Sequence, residues 1–302
     1  MTDEKQPSLV QDLIEAGIHF GQRTSGWNPK MSPYIYGKRA GIHIIDIKET
    51  IKGLLLAKKF IGRTVAEGKD ICFVGTKRQA RSILEERATD VGMHYVTERW
   101  LGGILTNFRT IRQRLTRLEE LEAIHEKDDF QSYSKKMESQ LKREMRKIKR
   151  NLDGIRRMEK LPGALVIIDV RRELTALAEA RKLRIPTICL IDTDGDPALA
   201  DIPIPGNDDS MRSIDVVVRE LCKSIAEGKS MRPAGGDQPE PDTQDDSGRG
   251  QARRSRRAQF RASDPAPRPA DDAGSAAGPS TGPAAPAAGP AAPAPAAPAR
   301  AD

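Results

Sequence analysis

The chain has 302 residues and carries 50 Lys and Arg against 43 Asp and Glu, a formal net charge of +7. This length allows a sizeable hydrophobic core, and the excess of positive charge favours a polyanionic partner, nucleic acid first, over a small acidic substrate. The apolar runs are too short to cross a membrane and the N-terminus lacks a secretory signal, so we expect a cytoplasmic protein with no membrane partner.

The N-terminal region begins with a short amphipathic pattern from Leu9 that ends at Gly17, which predicts one helix. From Phe20 to Gly41 the chain is rich in glycine, proline, lysine and arginine, with Trp27 and two tyrosines between them. This composition predicts a long loop, and loops of this length usually have a function.

Short apolar runs then alternate with helical patterns. The runs lie at 42–47, 71–74, 94–96, 164–170 and 186–191, and the helical patterns lie at 50–67, after Gly75, and at 173–182. Continuous apolar strands separated by helices indicate parallel strands that are covered on both faces. We therefore predict an α/β fold, doubly wound, whose sheet domain comprises residues 1–105 and 161–230.

The segment 106–160 has a different pattern, because its apolar residues recur every three or four positions along two long stretches. A break at 128–130 would reverse the chain, so the segment predicts an inserted antiparallel coiled-coil helical hairpin. It holds 16 Lys and Arg against 10 Asp and Glu, and residues 135–157 hold ten against three. Most of the net positive charge therefore lies in the hairpin.

The C-terminal segment 231–302 contains 13 of the 21 prolines and a single aromatic residue, Phe260. Nine arginines balance nine acidic residues in it, so its net charge is zero. Such a composition cannot build a core, and we predict a disordered tail rich in proline and alanine. The whole net charge then belongs to residues 1–230.

Signals for catalysis or a cofactor are weak. Gly75-Thr76-Lys77 follows a strand but lacks the full phosphate-loop spacing, which favours a tight strand-to-helix turn. The carboxylates that follow Ile191 begin like a calcium loop without completing one, although Asp192 and Asp196 beside His19 would suit a divalent ion. The cysteines and histidines show no paired ligand spacing. We therefore expect neither an enzyme nor a bound cofactor or metal.

RNA binding has stronger support. Three basic segments contain aromatic residues or glycines: 23–39, 99–109 and the hairpin. Arginine and lysine neutralise phosphates, glycine allows close approach of the backbone, and aromatic rings stack on unpaired bases. A solvated helix face explains evenly mixed charge, but it does not explain ten basic residues against three acidic ones.

Several blocks, in this order, closely resemble the bacterial small-subunit ribosomal protein S2 family between about Leu9 and Gly228. They are LIEAGIHFGQRTSGWNPKMSPYIYGKRAGIHIIDIKET (13–50), FVGTKRQA (73–80), RWLGGILTNFRTIR (99–112), LPGALVIIDV (161–170), EARKLRIPTICLIDTDGDP (179–197) and IPGNDDSMRSI (204–214). Gln22 stands where that family often has histidine. The chain also continues some 70 residues past the usual end of the family.

The resemblance implies a flavodoxin-like sheet with an inserted hairpin, bound to small-subunit rRNA between head and body, and a docking role for ribosomal protein S1. Our hypothesis is a structural, non-catalytic component of the small ribosomal subunit. The basic residues chosen as RNA contacts are Arg23, Lys30, Lys38, Arg39, Lys77, Arg78, Arg99, Arg109 and Arg112.

Two other functions stay open at this stage. An α/β enzyme or nucleotide-binding module would use the strand ends near Gly75, Asp169 and Asp192. A coiled-coil adaptor would instead pair the hairpin with another protein.

Overall fold

A computed structural model describes residues 9–126 and 134–232. The helices are α1 (Leu9–Glu15), α2 (Ile47–Ala66), α3 (Arg78–Asp90), α4 (Phe108–Glu126), α5 (Lys135–Leu152), α6 (Leu174–Leu183) and α7 (Met211–Ser230). The strands are β1 (Phe20–Arg23), β2 (Ile35–Arg39), β3 (Ile42–Ile45), β4 (Ile71–Val74), β5 (His94–Val96), β6 (Ala164–Ile168), β7 (Thr187–Ile191) and β8 (Ile202–Pro205). Within this part of the chain, no helix has the length and apolar character needed to cross a membrane.

Strands β4 to β8 form a five-stranded parallel sheet in the order β5-β4-β6-β7-β8. This order is that of flavodoxin-like folds, in which the chain starts inside the sheet, steps to one edge and then returns past its starting strand. Every residue of β4, β6 and β7 is buried, as continuous apolar runs predict for strands covered on both faces. The predicted fold class is confirmed.

Two cores flank the sheet, because successive strand side chains point to opposite faces. Ile71 and Phe73 face a core shared with α2, α3 and α7. Cys72 and Val74 face a second core, to which α6 and the bases of α4 and α5 contribute. The three cysteines are buried free thiols.

The long loop predicted over 20–41 is wrong. This segment contains β1, a short 3-10 helix (Pro29–Tyr34) and β2, and both strands pair antiparallel with β3 in the order β1-β3-β2. The strands have only four or five residues, and their register is irregular in two places. Glycines and polar residues on such short strands remove the hydrophobic alternation by which a strand is usually predicted.

Two elements of the parallel-sheet domain were not predicted from the sequence: strand β8 and helix α7. Strand β8 reads Ile-Pro-Ile-Pro, a sequence that argues against a central strand, and the sheet accepts it because β8 lies at an edge. Gly53 of α2 lies against β8 so closely that a Cβ there would meet the Pro203 carbonyl oxygen at 2.4 Å. Helix α2 thus packs directly on the backbone of the edge strand.

Helices α4 and α5 form the predicted antiparallel hairpin. The start of α4 contacts the segment that follows α5, since Arg112 donates to the carbonyls of Arg156 and Met158. The later part of α4 contacts α5 itself, where Glu122 pairs with Lys149 and Leu121 packs with Leu141, so the two helices run in opposite directions. Ser134 caps α5, since its hydroxyl accepts from the Met137 N–H. The predicted turn at 128–130 and almost all of the predicted tail lie outside the described residues, and the division into 1–105 with 161–230, 106–160 and 231–302 stays a prediction.

Candidate nucleic-acid interface

The carboxyl ends of the parallel strands, where doubly wound folds bind ligands, are covered by the small antiparallel sheet. The N–H of Gln22 donates to Thr193 Oγ1 at 2.8 Å, and the N–H of Asn28 donates to the Thr193 carbonyl at 2.8 Å. A Cβ on Gly21 would lie 2.5 Å from the Thr193 side chain, so the two layers are in direct contact. The chain itself fills the position that a cofactor takes in other members of this fold class.

The Gly75-Thr76-Lys77 turn is likewise satisfied internally. Glu173 Oε1 accepts from the N–H of Thr76 at 3.1 Å and from its hydroxyl at 2.5 Å. A phosphate at this turn would need the same N–H group. The contacts support the tight turn rather than the nucleotide-binding module.

Lys77, chosen from the sequence as an RNA contact, is only 9% exposed. Its ammonium lies 2.7 Å from Asp208, 2.6 Å from Asp209 and 3.6 Å from Asp169. Burial alone would lower the pKa of Lys77, but these carboxylates outweigh burial and raise the pKa above its ordinary value. Lys77 therefore joins α3 to the loops that follow β6 and β8.

The carboxylate oxygens of Asp192, Asp208 and Asp209 lie within 4.8 Å of one another. The ammonium of Lys77 and the amide of Gln22 both donate to this group, the latter to Asp192 at 3.3 Å and also to Asp209. Burial raises the pKa of Asp192 to about 6. The cluster is thus supplied with donors by the chain itself.

The sequence suggested a divalent ion between Asp192, Asp196 and His19, but among the described residues Asp196 and His19 do not belong to this carboxylate cluster. Asp196 instead accepts from Lys30 Nζ at 2.5 Å and caps the following 3-10 helix (Pro197–Leu199). The ring of His19 lies against Phe20, with ring centroids 4.1 Å apart. Gln22, at the position where the resembling family often has histidine, is the residue that reaches Asp192.

A basic cleft of about 770 Å³ opens between α5, α3 and the loop after β5. Six positively charged side chains and one carboxylate line it, together with Asn151: Arg81, Arg99, Arg143, Arg146, Lys147, Arg150 and Glu98. Positions 143, 146, 147 and 150 are three or four residues apart, so they share one face of α5. We call this surface the basic cleft.

Most of the cleft's positive charge is free to meet a ligand. Arg99, Arg143, Arg146 and Lys147 are exposed and make no ion pair with any described residue. Glu98 accepts from the remaining two, from Arg81 Nη1 at 3.1 Å and from Arg150 Nε at 3.0 Å and Nη2 at 2.8 Å. Four cations without an ion pair in the described part of the chain, one on the loop after β5 and three on α5, give the cleft the charge that attracts a polyanion.

Glu179 of α6 holds the loop that brings Arg99 to the cleft. Its carboxylate accepts from the indole of Trp100 at 3.2 Å, from the N–H groups of Gly103, Leu105 and Thr106 at 2.7, 3.0 and 3.1 Å, and from the Thr106 hydroxyl at 3.2 Å. Burial alone would raise the pKa of Glu179, but these donors lower it below its usual range. The loop between β5 and α4 is therefore ordered before any partner binds.

The remaining sequence-chosen residues fall in several places. Arg23, Lys38 and Arg39 are exposed on the antiparallel sheet, Arg78 and Arg109 are exposed in the first turns of α3 and α4, and Lys30 pairs with Asp196. Arg112 supports the hairpin base, because its Nη1 donates to the carbonyls of Arg156 and Met158 at 3.5 and 3.2 Å. Of the chosen residues, the structure places only Arg99 in the basic cleft.

Sequence reasoning missed the α5 side of the cleft as individual residues. The excess of ten basic over three acidic residues in 135–157 was visible, but no position was selected. Helical spacing of Arg143, Lys147 and Arg150 was the available signal. Arg81 carried no such signal, because it lies on α3 and comes close to the basic residues of α5 only in the folded chain.

A second exposed surface is the outer face of the antiparallel sheet. Phe20 pairs with Ile44 across β1 and β3, and Ile42 lies between Arg23 on one side and Arg39 on the other. Phe20 is 47% exposed and Ile42 is 37% exposed, whereas the inward Gln22 contacts the carboxyl edge of the main sheet. We call this surface the outer sheet face, an apolar strip flanked by two arginines.

Comparison with known proteins agrees with this architecture. The family "Ribosomal protein S2" matches residues 13–228. The Small ribosomal subunit protein uS2 of Rhodopirellula baltica is 56% identical over 221 residues, which cover 73% of this chain and 85% of that protein. The uS2c protein of Guillardia theta is 50% identical over 219 residues, 72% of this chain and 93% of its own. The uS2 protein of Mycobacterium sp. strain KMS is 46% identical over 235 residues, 78% and 83% respectively.

The matched range includes both sheets, the helical hairpin and the whole basic cleft. The chain belongs to the ribosomal protein S2 family, whose members are structural proteins of the small ribosomal subunit and not enzymes.

Proposed function

We propose that this protein binds small-subunit rRNA through the basic cleft, as a structural constituent of the ribosome in the cytoplasm. The single observation that carries this proposal is the set of exposed cations in the cleft that make no ion pair with described residues, Arg99, Arg143, Arg146 and Lys147. RNA offers a regular series of phosphates to such a wall, and release of condensed counterions drives the association. Other small-subunit proteins are its neighbours.

The cleft suits RNA better than a small metabolite. A small-molecule pocket is mostly apolar with a few polar groups, whereas charged side chains and one amide line this cleft. The rigid loop held by Glu179 and the packed base of the hairpin fix its two walls. RNA binding to this cleft therefore does not require the backbone of either wall to become ordered first.

Small subunits stripped of this protein provide the test, because the full chain can be titrated back at several salt concentrations. Arg143→Ala and Lys147→Ala are expected to weaken binding and to lower the salt slope by about one each. Arg212→Ala on α7 is the matched control, since Arg212 is exposed and lies outside the cleft. Unchanged slopes for both cleft variants would remove the cleft from the proposal.

The other sequence-chosen cations belong to the same proposal with different roles. Arg23, Lys38, Arg39, Arg78 and Arg109 are exposed and keep their donors available for phosphate. Lys30, Lys77 and Arg112 already give theirs to the chain itself. We expect the first group to alter the salt slope when replaced by alanine, and the second group to alter stability.

We also propose that ribosomal protein S1 docks on the outer sheet face. Exposed contiguous apolar side chains mark protein contacts on soluble domains, and Phe20 with Ile42 forms such a strip between two arginines. The face is built on β1 and β3, which rest on the carboxyl edge of the main sheet, so it is rigid.

Replacing Phe20 by Ser and Ile42 by Ser should reduce S1 retention on purified small subunits without preventing incorporation of this chain. Leu55→Ser is the control, because Leu55 is an apolar side chain at least as exposed, at 54%, but lies on α2. If S1 retention falls as much in the control as in the two variants, the docking site lies elsewhere.

A further inference from the structure

Glu98 is the single carboxylate among the residues that line the basic cleft. In a surface that serves only to attract phosphates, an acidic residue opposes binding. Its position is therefore informative. Glu98 lies in the loop directly after β5, and its two oxygens join Arg81 of α3 to Arg150 of α5.

The contacts of Glu98 leave donors of both arginines available. Oε1 takes one N–H from Arg81 Nη1, while the Nε of Arg81 approaches the Thr76 carbonyl at 3.4 Å. Oε2 takes the Nε and Nη2 edge of Arg150, which leaves its Nη1 group unused within the described residues. A guanidinium has five N–H donors, so each arginine can still bind a phosphate.

The exposures show which charge a ligand meets first. The side chain of Glu98 is 26% exposed, that of Arg81 38% and that of Arg150 69%. The carboxylate is thus the least exposed of the three side chains, and an approaching phosphate meets more arginine surface than carboxylate surface. Arginine side chains lose considerable rotamer freedom on binding, and a carboxylate that already orders them reduces that loss.

We propose that Glu98 is a positioning residue for rRNA, which holds Arg81 and Arg150 together as one phosphate-binding pair across the junction of α3 and the hairpin. This inference rests on the proposed function of the basic cleft. Net charge alone would predict that removing the Glu98 carboxylate strengthens RNA binding. The positioning role predicts the opposite, that its removal weakens RNA binding.

The test is Glu98→Gln in the full chain, titrated into small subunits stripped of this protein at several salt concentrations. The amide keeps the shape of the side chain but cannot accept from both arginines, so we expect roughly three- to tenfold weaker binding. The salt slope should fall by about one, because one phosphate contact is lost. Thermal unfolding of the variant confirms that the comparison is between folded proteins.

Glu159→Gln is the matched control for the charge itself. Glu159 is exposed near the end of the hairpin, makes no ion pair with described residues and does not line the cleft. Its replacement removes the same negative charge and should leave affinity unchanged or slightly higher. In an Arg81→Ala, Arg150→Ala background, Glu98→Gln should have no further effect on affinity, which a general structural role would not predict.

The outcomes separate this inference from the function on which it rests. If Arg143→Ala and Lys147→Ala weaken binding while Glu98→Gln strengthens it or matches the control, the cleft binds RNA and the positioning role is wrong. If neither Arg143→Ala nor Lys147→Ala changes binding, the proposed function fails and this inference fails with it. If Glu98→Gln weakens binding and reduces the salt slope while Glu159→Gln does neither, the positioning role is supported.

Discussion

Replacing Glu179 by glutamine tests how the chain orders the loop between β5 and α4. The carboxylate accepts five hydrogen bonds, three of them from backbone N–H groups. Glutamine keeps one accepting oxygen and turns the other into an amide donor. At Oε2, that donor would face the N–H groups of Leu105 and Thr106, which come to 3.0 and 3.1 Å.

The magnitude follows from these contacts. The buried N–H of Leu105 and the partly buried N–H of Thr106 lose their acceptor at about 1–3 kcal/mol each, and the remaining bonds lose the strengthening of a charged partner. We expect Glu179→Gln to lower the free energy of unfolding by about 3–5 kcal/mol. In a domain of this size, that corresponds to a melting temperature lower by roughly 10 °C.

The pH dependence provides an independent check. Because the pKa of Glu179 is lowered in the folded protein, its stabilisation is present above the unfolded pKa and is lost as pH falls through the folded pKa. The wild-type protein should therefore lose stability below about pH 4.3, the ordinary value for glutamate, more steeply than the variant.

Urea unfolding of the full chain at pH 7 and at acid pH measures both effects. Glu86→Gln is the control, since Glu86 is exposed on α3 and undergoes the same chemical change. If Glu179→Gln lies within 1 kcal/mol of this control, taken as roughly the worth of one ordinary hydrogen bond, the reasoning about the loop is refuted.

Three other predictions can be tested, mostly in the same unfolding experiments. Gly53→Ala should lower the free energy of unfolding by about 1–3 kcal/mol, because a Cβ would meet the Pro203 carbonyl oxygen at 2.4 Å. Gly62→Ala, whose Cβ would have its nearest neighbour at 3.7 Å, should stabilise α2 by up to about 1 kcal/mol. Equal effects of the two substitutions would contradict this packing. Lys77→Ala should cost about 3–5 kcal/mol, because it leaves buried carboxylates without a counterion, and a neutral result would exclude that role. Arg112→Ala should cost about 1–2 kcal/mol and speed amide exchange at the hairpin base, and unchanged exchange would argue against it.

Much of the fold follows from local pattern. The apolar runs that became β4, β6 and β7 are buried along their full length, so their character was visible without knowledge of their neighbours. The hairpin was equally visible, because its apolar residues repeat at helical spacing and Leu115, Leu118 and Leu121 are buried.

The antiparallel sheet was not visible, for a physical reason. Strands β1 and β2 are short and largely polar, and they are stabilised by pairing with β3 and by contact with Thr193, more than 150 residues away from β1 in the chain. No window of local sequence contains that information. The Pro-rich β8 is similar, since only its place at a sheet edge makes two prolines acceptable.

The candidate site divides in the same way. The amino-acid composition predicted an excess of positive charge on the hairpin, and four basic residues of α5 line the basic cleft. They did not distinguish a free cation from one already bound within the fold. Arg99 and Lys77 look alike in sequence, yet the first is exposed in the cleft and the second is buried among carboxylates.

Residue order by itself determined the class of fold, the hairpin and the excess of positive charge that favours a polyanionic partner, because burial pattern and net charge are sums over neighbouring residues. Tertiary structure alone decided which cations are exposed and which are bound within the fold. Lys77 meets Asp208 from 131 positions away, and Glu98 meets Arg150 from 52 positions away. The energy of a charge depends on the groups within a few ångströms of it, and those distances exist only once the chain has folded.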